Sequence, residues 1–433
     1  MGVATTVDGA SAGLHERPVE AATSEAFRST NLDIVRAVAA LAVLTGHSYI
    51  LSGHYLNPAE LRPDHLLLTN MAAGVWLFFA LSGYLIAGPH IAALAAGRPL
   101  PDLRSYALRR VSRIYPLYLV AFLIAALVAP ISPISHWWQW PVHLTLLHNL
   151  VPGEEQAVLF ASWTLTIEAL FYLVVPIAAR AVRRVHPGPI GLAPLTGGVL
   201  ALWAGSLVLT AMADVVQPTH IKVGLWLRFL LPSTLCMFCP GLLVSVAALH
   251  REDGRVGRVW RSLRDRPLAW LALAGVFGLM GCLLETRTWS SFIYDAERIP
   301  FAVASGIVVA LAVAQPERRS LPFRIGAALG LVSYGIYLWQ AVILQIVFPK
   351  RLWLAPLART GPLPLLVHWL YLLALTLVLS TVSWFVLERP VMTWARQYAR
   401  RQRQRRLTGP AGPPLRPPVG TTSGTERSPA PSR

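Results

Sequence analysis

Long apolar runs alternate with short polar breaks along this chain, and the breaks are rich in arginine. A helix that crosses a bilayer needs about 20 mostly apolar residues. Ten segments meet or approach that length, at 33–52, 71–95, 115–130, 162–178, 190–213, 226–248, 267–285, 297–314, 328–348 and 365–388. The pattern predicts an all-α, polytopic membrane protein with about ten transmembrane helices.

The breaks test that count, because loops on the cytoplasmic side carry an excess of Lys and Arg. With the N-terminus inside, the cytoplasmic segments are 1–30, 96–114, 179–188, 249–266, 315–326 and 389–433. They hold 29 of the 38 Lys and Arg residues, and the opposite loops are poor in both. One helix more or fewer would break the alternation. A multi-pass protein with both termini cytoplasmic is therefore expected. An arginine bias with frequent Ala, Gly and Pro suggests a bacterial source and hence the inner (cytoplasmic) membrane.

Residues 31–390 read as one membrane-embedded domain. Residues 1–30 lack the apolar core of a signal peptide. They read as a disordered tail, with the first helix as its own insertion signal. Residues 391–433 start with a basic run (Arg400, Arg401, Arg403, Arg405, Arg406) and turn Pro/Gly/Ser-rich. They read as a second disordered tail whose basic part lies beside anionic lipid.

Composition agrees. The chain is 55% apolar, only 14% charged, and has a mean hydropathy of +0.52. Soluble proteins carry about 25% charged residues. The net charge of +17 would suit a nucleic-acid partner, but its arginines stand in short runs between apolar segments, so no such partner is expected. Cys236, Cys239 and Cys282 fall in apolar segments. The one CxxC has no second pair, so these read as core thiols, and no metal site is expected.

Ionisable side chains inside membrane helices are costly and mark polar cavities. The first helix holds Arg36 and His47, eleven residues apart. That is about 16 Å along the axis and close to three full turns, so both share a face. Arg36 is near the cytoplasmic end and His47 about 8 Å below the outer surface. On the fourth helix Glu168 lies about 9 Å below the same surface. A carboxylate at that depth could orient the imidazole as a general base; the plain alternative is a packed histidine. Arg110 and Arg113 put two guanidinia on one helix face at the membrane boundary, where they would suit phosphate groups or serve only as topology anchors. The outer loop 131–161 has no Lys or Arg but carries His136, Trp137, Trp138, Trp140, His143, His148, Glu154 and Glu155. It could be an acceptor wall or an interfacial aromatic belt. A phosphate loop, a GxSxG elbow and an HExxH pair are all missing.

Six segments together resemble the acyltransferase 3 family of bacterial membrane O-acyltransferases. They are NLDIVRAVAALAVLTGHS (31–48), GVWLFFALSGYLIAG (74–88), RRVSRIYPLY (109–118), SWTLTIEALFYLVVP (162–176), LVSYGIYLWQ (331–340) and LERPV (387–391). The resemblance implies a ten-helix enzyme that takes an acyl group, acetyl above all, from acyl-CoA and places it on a hydroxyl. The acceptor would be a glycan, a glycolipid or a glycosylated metabolite such as a macrolide. No bound cofactor is implied; acyl-CoA is the donor substrate, and the bilayer and the hydroxyl acceptor are the other partners. The family's residues map onto His47 and Glu168 as catalytic groups and onto Arg36, Arg110 and Arg113 as acyl-CoA ligands. Ser82 and Tyr84 fall in its SGF/SGY segment, and with Trp163 and Tyr337 they are candidate pocket residues. Two departures stand out. Gln340 occupies the place of a histidine that many members carry, which puts a role for that position in doubt. An appended esterase domain of the kind some glycan-modifying members carry is not expected here. The competing reading is a polytopic transporter or flippase of a lipid-linked or small-molecule substrate.

Overall fold

The structure is a computed structural model that describes residues 29–51, 63–128, 133–217, 219–288, 296–318, 320–350 and 362–407. Most of both expected tails, 1–28 and 408–433, lies outside the described residues. Ser29 opens the first helix as a cap, its Oγ accepting from the Leu32 N–H at 3.3 Å. From there the elements are α1 (Thr30–Leu51), α2 (Pro63–Asn70), α3 (Val75–Ser82), a π turn (Gly83–Ala87), α4 (Gly88–Ala95), α5 (Leu103–Val128) and α6 (Gln139–Leu144). Next come α7 (Trp163–Val185), α8 (Leu192–Val216), α9 (Ile221–Arg228), α10 (Leu231–Leu249), α11 (Gly254–Asp265), α12 (Pro267–Thr288) and α13 (Arg298–Ala314). The chain closes with α14 (Leu321–Leu331), α15 (Ser333–Lys350), α16 (Pro362–Ser383), a second π turn (Trp384–Glu388) and α17 (Arg389–Leu407). No strand occurs among the described residues.

Among the described residues, eight helical stretches are long and apolar enough to cross a membrane, and the α14–α15 pair, bent by 59°, makes a ninth. The remaining expected segment, 297–314, falls on α13, a shorter apolar helix. Each of the ten runs read from the sequence thus coincides with a helix or a helix pair. The basic run expected in the C-terminal tail lies on α17, which continues to Leu407. Arg, Gln and Ala favour helix there, and Trp394 stacks on Tyr398 at 5.6 Å.

α10 is central, packed against α3, α4, α8, α13 and the first π turn. Cys236, Phe238 and Cys239 are buried on it as core side chains. By contrast, Leu268 of α12 is 79% exposed and Val276 63%; these are faces for lipid rather than water. Small residues let the central helices touch backbone to backbone. A Cβ on Gly241 would stand 1.8 Å from the Ala80 carbonyl oxygen, and one on Gly330 would stand 1.9 Å from that of Asp33. Gly241→Leu must therefore move backbone, at a cost of about 1–3 kcal/mol. It should lower the melting temperature of the detergent-purified protein, whereas Gly275→Leu, with nothing within 4 Å, should leave it unchanged.

Three apolar clusters form among the described residues, two of them large. One joins α1, α5, α15 and α16; the other joins α3, α7, α8, α10 and α13. Side chains of both line a cavity at the seam between them.

Candidate active site

The cavity at this seam holds about 610 Å³, within the usual range of small-molecule sites. Four separate elements bring charge to it. α1 contributes Asp33 and Arg36; α5 contributes Arg109, Arg110 and Arg113; α7 contributes Glu168; and α17 contributes Arg389 and Arg396. Ser82 reaches it from the end of α3, and Tyr334 and Tyr337 from α15. Six guanidinia face two carboxylates, so the cavity favours an anion of several charges.

Each of the predicted arginines is held differently. Arg36 is ion-paired to Asp33 one turn earlier on α1. Arg113 donates to Glu388 at 3.2 Å and stands over the Tyr334 and Trp384 rings at 5.5 and 5.6 Å. Arg110 lies over the Tyr172 ring at 5.5 Å, and its buried Nε has no hydrogen-bond partner among the described residues. Glu168 Oε1 accepts from Ser82 Oγ at 2.8 Å and from the Tyr172 hydroxyl. Both π turns border this site, with Ser82 just before the first and Trp384 opening the second. Extra residues in a helix at functional positions are the usual setting of such turns.

Of the predicted site residues, Arg36, Ser82, Arg110, Arg113, Glu168 and Tyr337 line the cavity. His47 does not. Its Nδ1 lies 3.1 Å from Gln340 Nε2 and 3.3 Å from Gln340 Oε1, and the edge of its ring meets Phe160 at 5.0 Å. Gln340, fully buried, also donates to the Tyr337 carbonyl at 3.0 Å, so His47 stands just past the Tyr337 end of the cavity. No hydrogen bond joins His47 to Glu168 among the described residues. Equal depth fixes a height along the bundle and leaves the direction around each helix open. Position 340, whose role was in doubt, thus supplies the imidazole's partner. Tyr84 turns away from the cavity, since residues two apart on a helix do not share a face. Trp163 packs on Phe79 and Phe229, at 6.1 and 5.0 Å between ring centres, and does not line the cavity. Glu388, Arg389 and Arg396 went unnoticed as site residues, although the first two lie in the LERPV segment.

The segment between α5 and α7 carries a buried polar cluster. His143 Nε2 lies 3.0 Å from Glu154 Oε2, Gln139 donates to Glu154 Oε1 at 2.7 Å, and His143 stacks on His148 at 4.7 Å. His148 Nε2 lies 3.0 Å from Ser162 Oγ. Burial, reinforced by His143, pushes His148 down to about 3 from an ordinary 6.5. Burial also lowers His143, against the Glu154 carboxylate that raises it. The folded cluster thus holds both rings neutral, while an unfolded chain would protonate them below about pH 6.5. The unfolded state then binds more protons, so stability should be level above pH 6.5 and fall as pH drops from 6.5 towards 3. His148→Gln should flatten part of that fall in melting curves taken between pH 8 and 5. An unchanged slope would assign the acid sensitivity to other groups.

Comparison with known proteins adds to this geometry. A family model described as an acyltransferase domain matches residues 29–386. Acyltransferase MdmB of Streptomyces mycarofaciens is 31% identical over 36% of this chain and 41% of its own length. Nodulation protein 10 of Rhizobium leguminosarum bv. viciae is 25% identical over 84% of this chain and 93% of its own. Peptidoglycan O-acetyltransferase OatA of Listeria monocytogenes is 23% identical over 74% of this chain and 50% of its own. The match thus spans about half the length of the first and last of these relatives. No solved structure is significantly similar.

Proposed function

The chain belongs to the acyltransferase 3 family, and on that footing we propose that it is a membrane O-acyltransferase that moves an acyl group from acyl-CoA to a hydroxyl. The observation that carries the donor assignment is the convergence of Arg36, Arg109, Arg110, Arg113, Arg389 and Arg396 on one cavity. Coenzyme A is a polyphosphate attached to a long thioester arm, and arginine binds phosphate through paired, charge-assisted hydrogen bonds. The arginine-rich end faces the cytoplasm, as the distribution of basic residues over the loops favours.

The chemistry follows the cavity inward. Arg36, Arg110 and Arg113 hold the phosphates, and the arm runs past Ser82 and Glu168 towards Tyr337. With the Gln340 carboxamide oxygen turned to Nδ1–H, His47 keeps its lone pair on Nε2. Nε2 takes the proton of the acceptor hydroxyl as that oxygen attacks the thioester carbonyl, and the coenzyme A thiolate leaves and is protonated. Gln340 thus does for the imidazole what Glu168 was expected to do. Glu168 instead fixes Ser82 and Tyr172 along the arm's path. The acceptor is a glycan or glycoside hydroxyl, a choice supported by the peptidoglycan named for the Listeria relative. An acetyl group is the acyl group proposed.

The test uses the purified protein with acetyl-CoA and a set of glycan fragments and glycosides. Release of coenzyme A thiol that depends on the acceptor, with an acetylated product of matching mass, is the expected result. Uptake of a glycoside into vesicles with no donor consumption would replace this reading with transport.

A further inference from the structure

A second cavity of about 490 Å³ lies behind the first π turn, where Tyr84 lines it. An apolar wall that includes Leu32, Leu81, Ala92 and Val309 packs between α1, α3, α4 and α13 beside it. Four arginines surround the opening: Arg98 after α4, Arg251 after α10, and Arg261 and Arg264 on α11. One acid, Glu252, lines the cavity with them. Its carboxylate is 3.6 Å from Arg251 with both side chains widely exposed, and such a pair contributes little. A net positive rim remains.

The frame that carries this rim is fixed. Trp260 of α11 donates to the Ala247 carbonyl at 3.1 Å, and Gln315 donates to the carbonyls of Leu263 and Arg264 at 2.8 and 3.2 Å. The floor is apolar and comes from the ends of membrane helices: Ala92 from α4, Ala248 and Leu249 from α10, and Val313 and Ala314 from α13.

The geometry points to a binding site for the headgroup of an acidic phospholipid. The phosphodiester anion sits among Arg98, Arg251, Arg261 and Arg264, and the glycerol end lies over the apolar floor. Arginines fit the phosphate oxygens as charge-assisted donors, and basic pockets between membrane helices suit anionic headgroups. The floor distinguishes lipid from a free phosphate, which would gain nothing from Ala92 or Val313 and would lose hydration against them. This assignment does not depend on acyl transfer.

The experiment titrates the detergent-purified full-length protein with dioleoyl phosphatidylglycerol or dioleoyl phosphatidylcholine and follows bound lipid by native mass spectrometry. Melting curves with the same lipids and with inorganic phosphate run alongside. Wild-type protein should retain phosphatidylglycerol and not phosphatidylcholine. Arg261→Ala/Arg264→Ala should weaken retention at least tenfold, and Arg251→Gln reads the same loss if the double variant does not fold. Arg255→Ala/Arg258→Ala, on the same helix but outside the cavity, should keep it. Equal retention in the cavity variants, an equal loss in the control, or equal binding of phosphatidylcholine would overturn the site. Stabilisation by inorganic phosphate that matches phosphatidylglycerol would overturn the lipid.

Discussion

Replacing His47 with alanine is expected to lower acyl transfer by about 10²–10⁴-fold, the usual contribution of a positioned general base. The side chain is partly buried, faces Gln340 and Phe160, and has no ion pair among the described residues, so its loss should leave expression and melting temperature near wild type. His47→Gln keeps volume and some hydrogen bonding but offers no base, and should be as inactive. Gln340→Ala removes the group that selects the tautomer, and the fall in kcat should be smaller than for His47→Ala. Glu168→Gln should also be milder, because its remaining carbonyl still accepts from Ser82 and Tyr172. Coenzyme A release at saturating donor reads all four variants. A dead Glu168→Gln beside an active His47→Gln would reverse the roles, making Glu168 the base inside the cavity and His47 a packed partner of Gln340.

The contrast between these residues shows where the amino-acid pattern was legible. Hydropathy and the side preference of arginine are one-dimensional signals, and they located ten helical runs and the arginines at one end. The Arg36–His47 spacing is a property of one regular helix and was equally readable. Pairing across helices was not. Helix spacing puts His47 and Glu168 at a similar expected depth, but which way each points is set by the packing of α1 on α15 and of α7 on α10. Gln340 therefore met His47 instead. The two π turns are also silent in the pattern, since their apolar residues fit an α-helix as well. Glu388 closes the last apolar run and drew no role of its own in the pattern, yet it is fully buried.

Burial of Glu388 divides two arginines that the motif presents as equals. Arg110→Ala and Arg113→Ala each remove a guanidinium from the cavity, and each should raise the donor KM by roughly ten- to a hundredfold through a lost phosphate contact. Only Arg113 also pairs with a side chain of 0% exposure, Glu388 Oε2 at 3.2 Å, whose other oxygen has no hydrogen-bond partner among the described residues. Arg113→Ala thus strands a carboxylate in the bundle, at a cost of about 3–5 kcal/mol. Arg110→Ala breaks a stack on Tyr172 and should cost far less. Arg113→Ala is expected to melt well below Arg110→Ala, and adding Glu388→Gln to Arg113→Ala should recover most of that difference, because a neutral amide replaces the unpaired charge. The recovered double variant should still show the raised donor KM. If the second substitution restored no stability, the buried ion pair would not be what holds α5 to the turn before α17. If it restored stability and donor KM together, Arg113 would serve the fold and leave the phosphates to its neighbours.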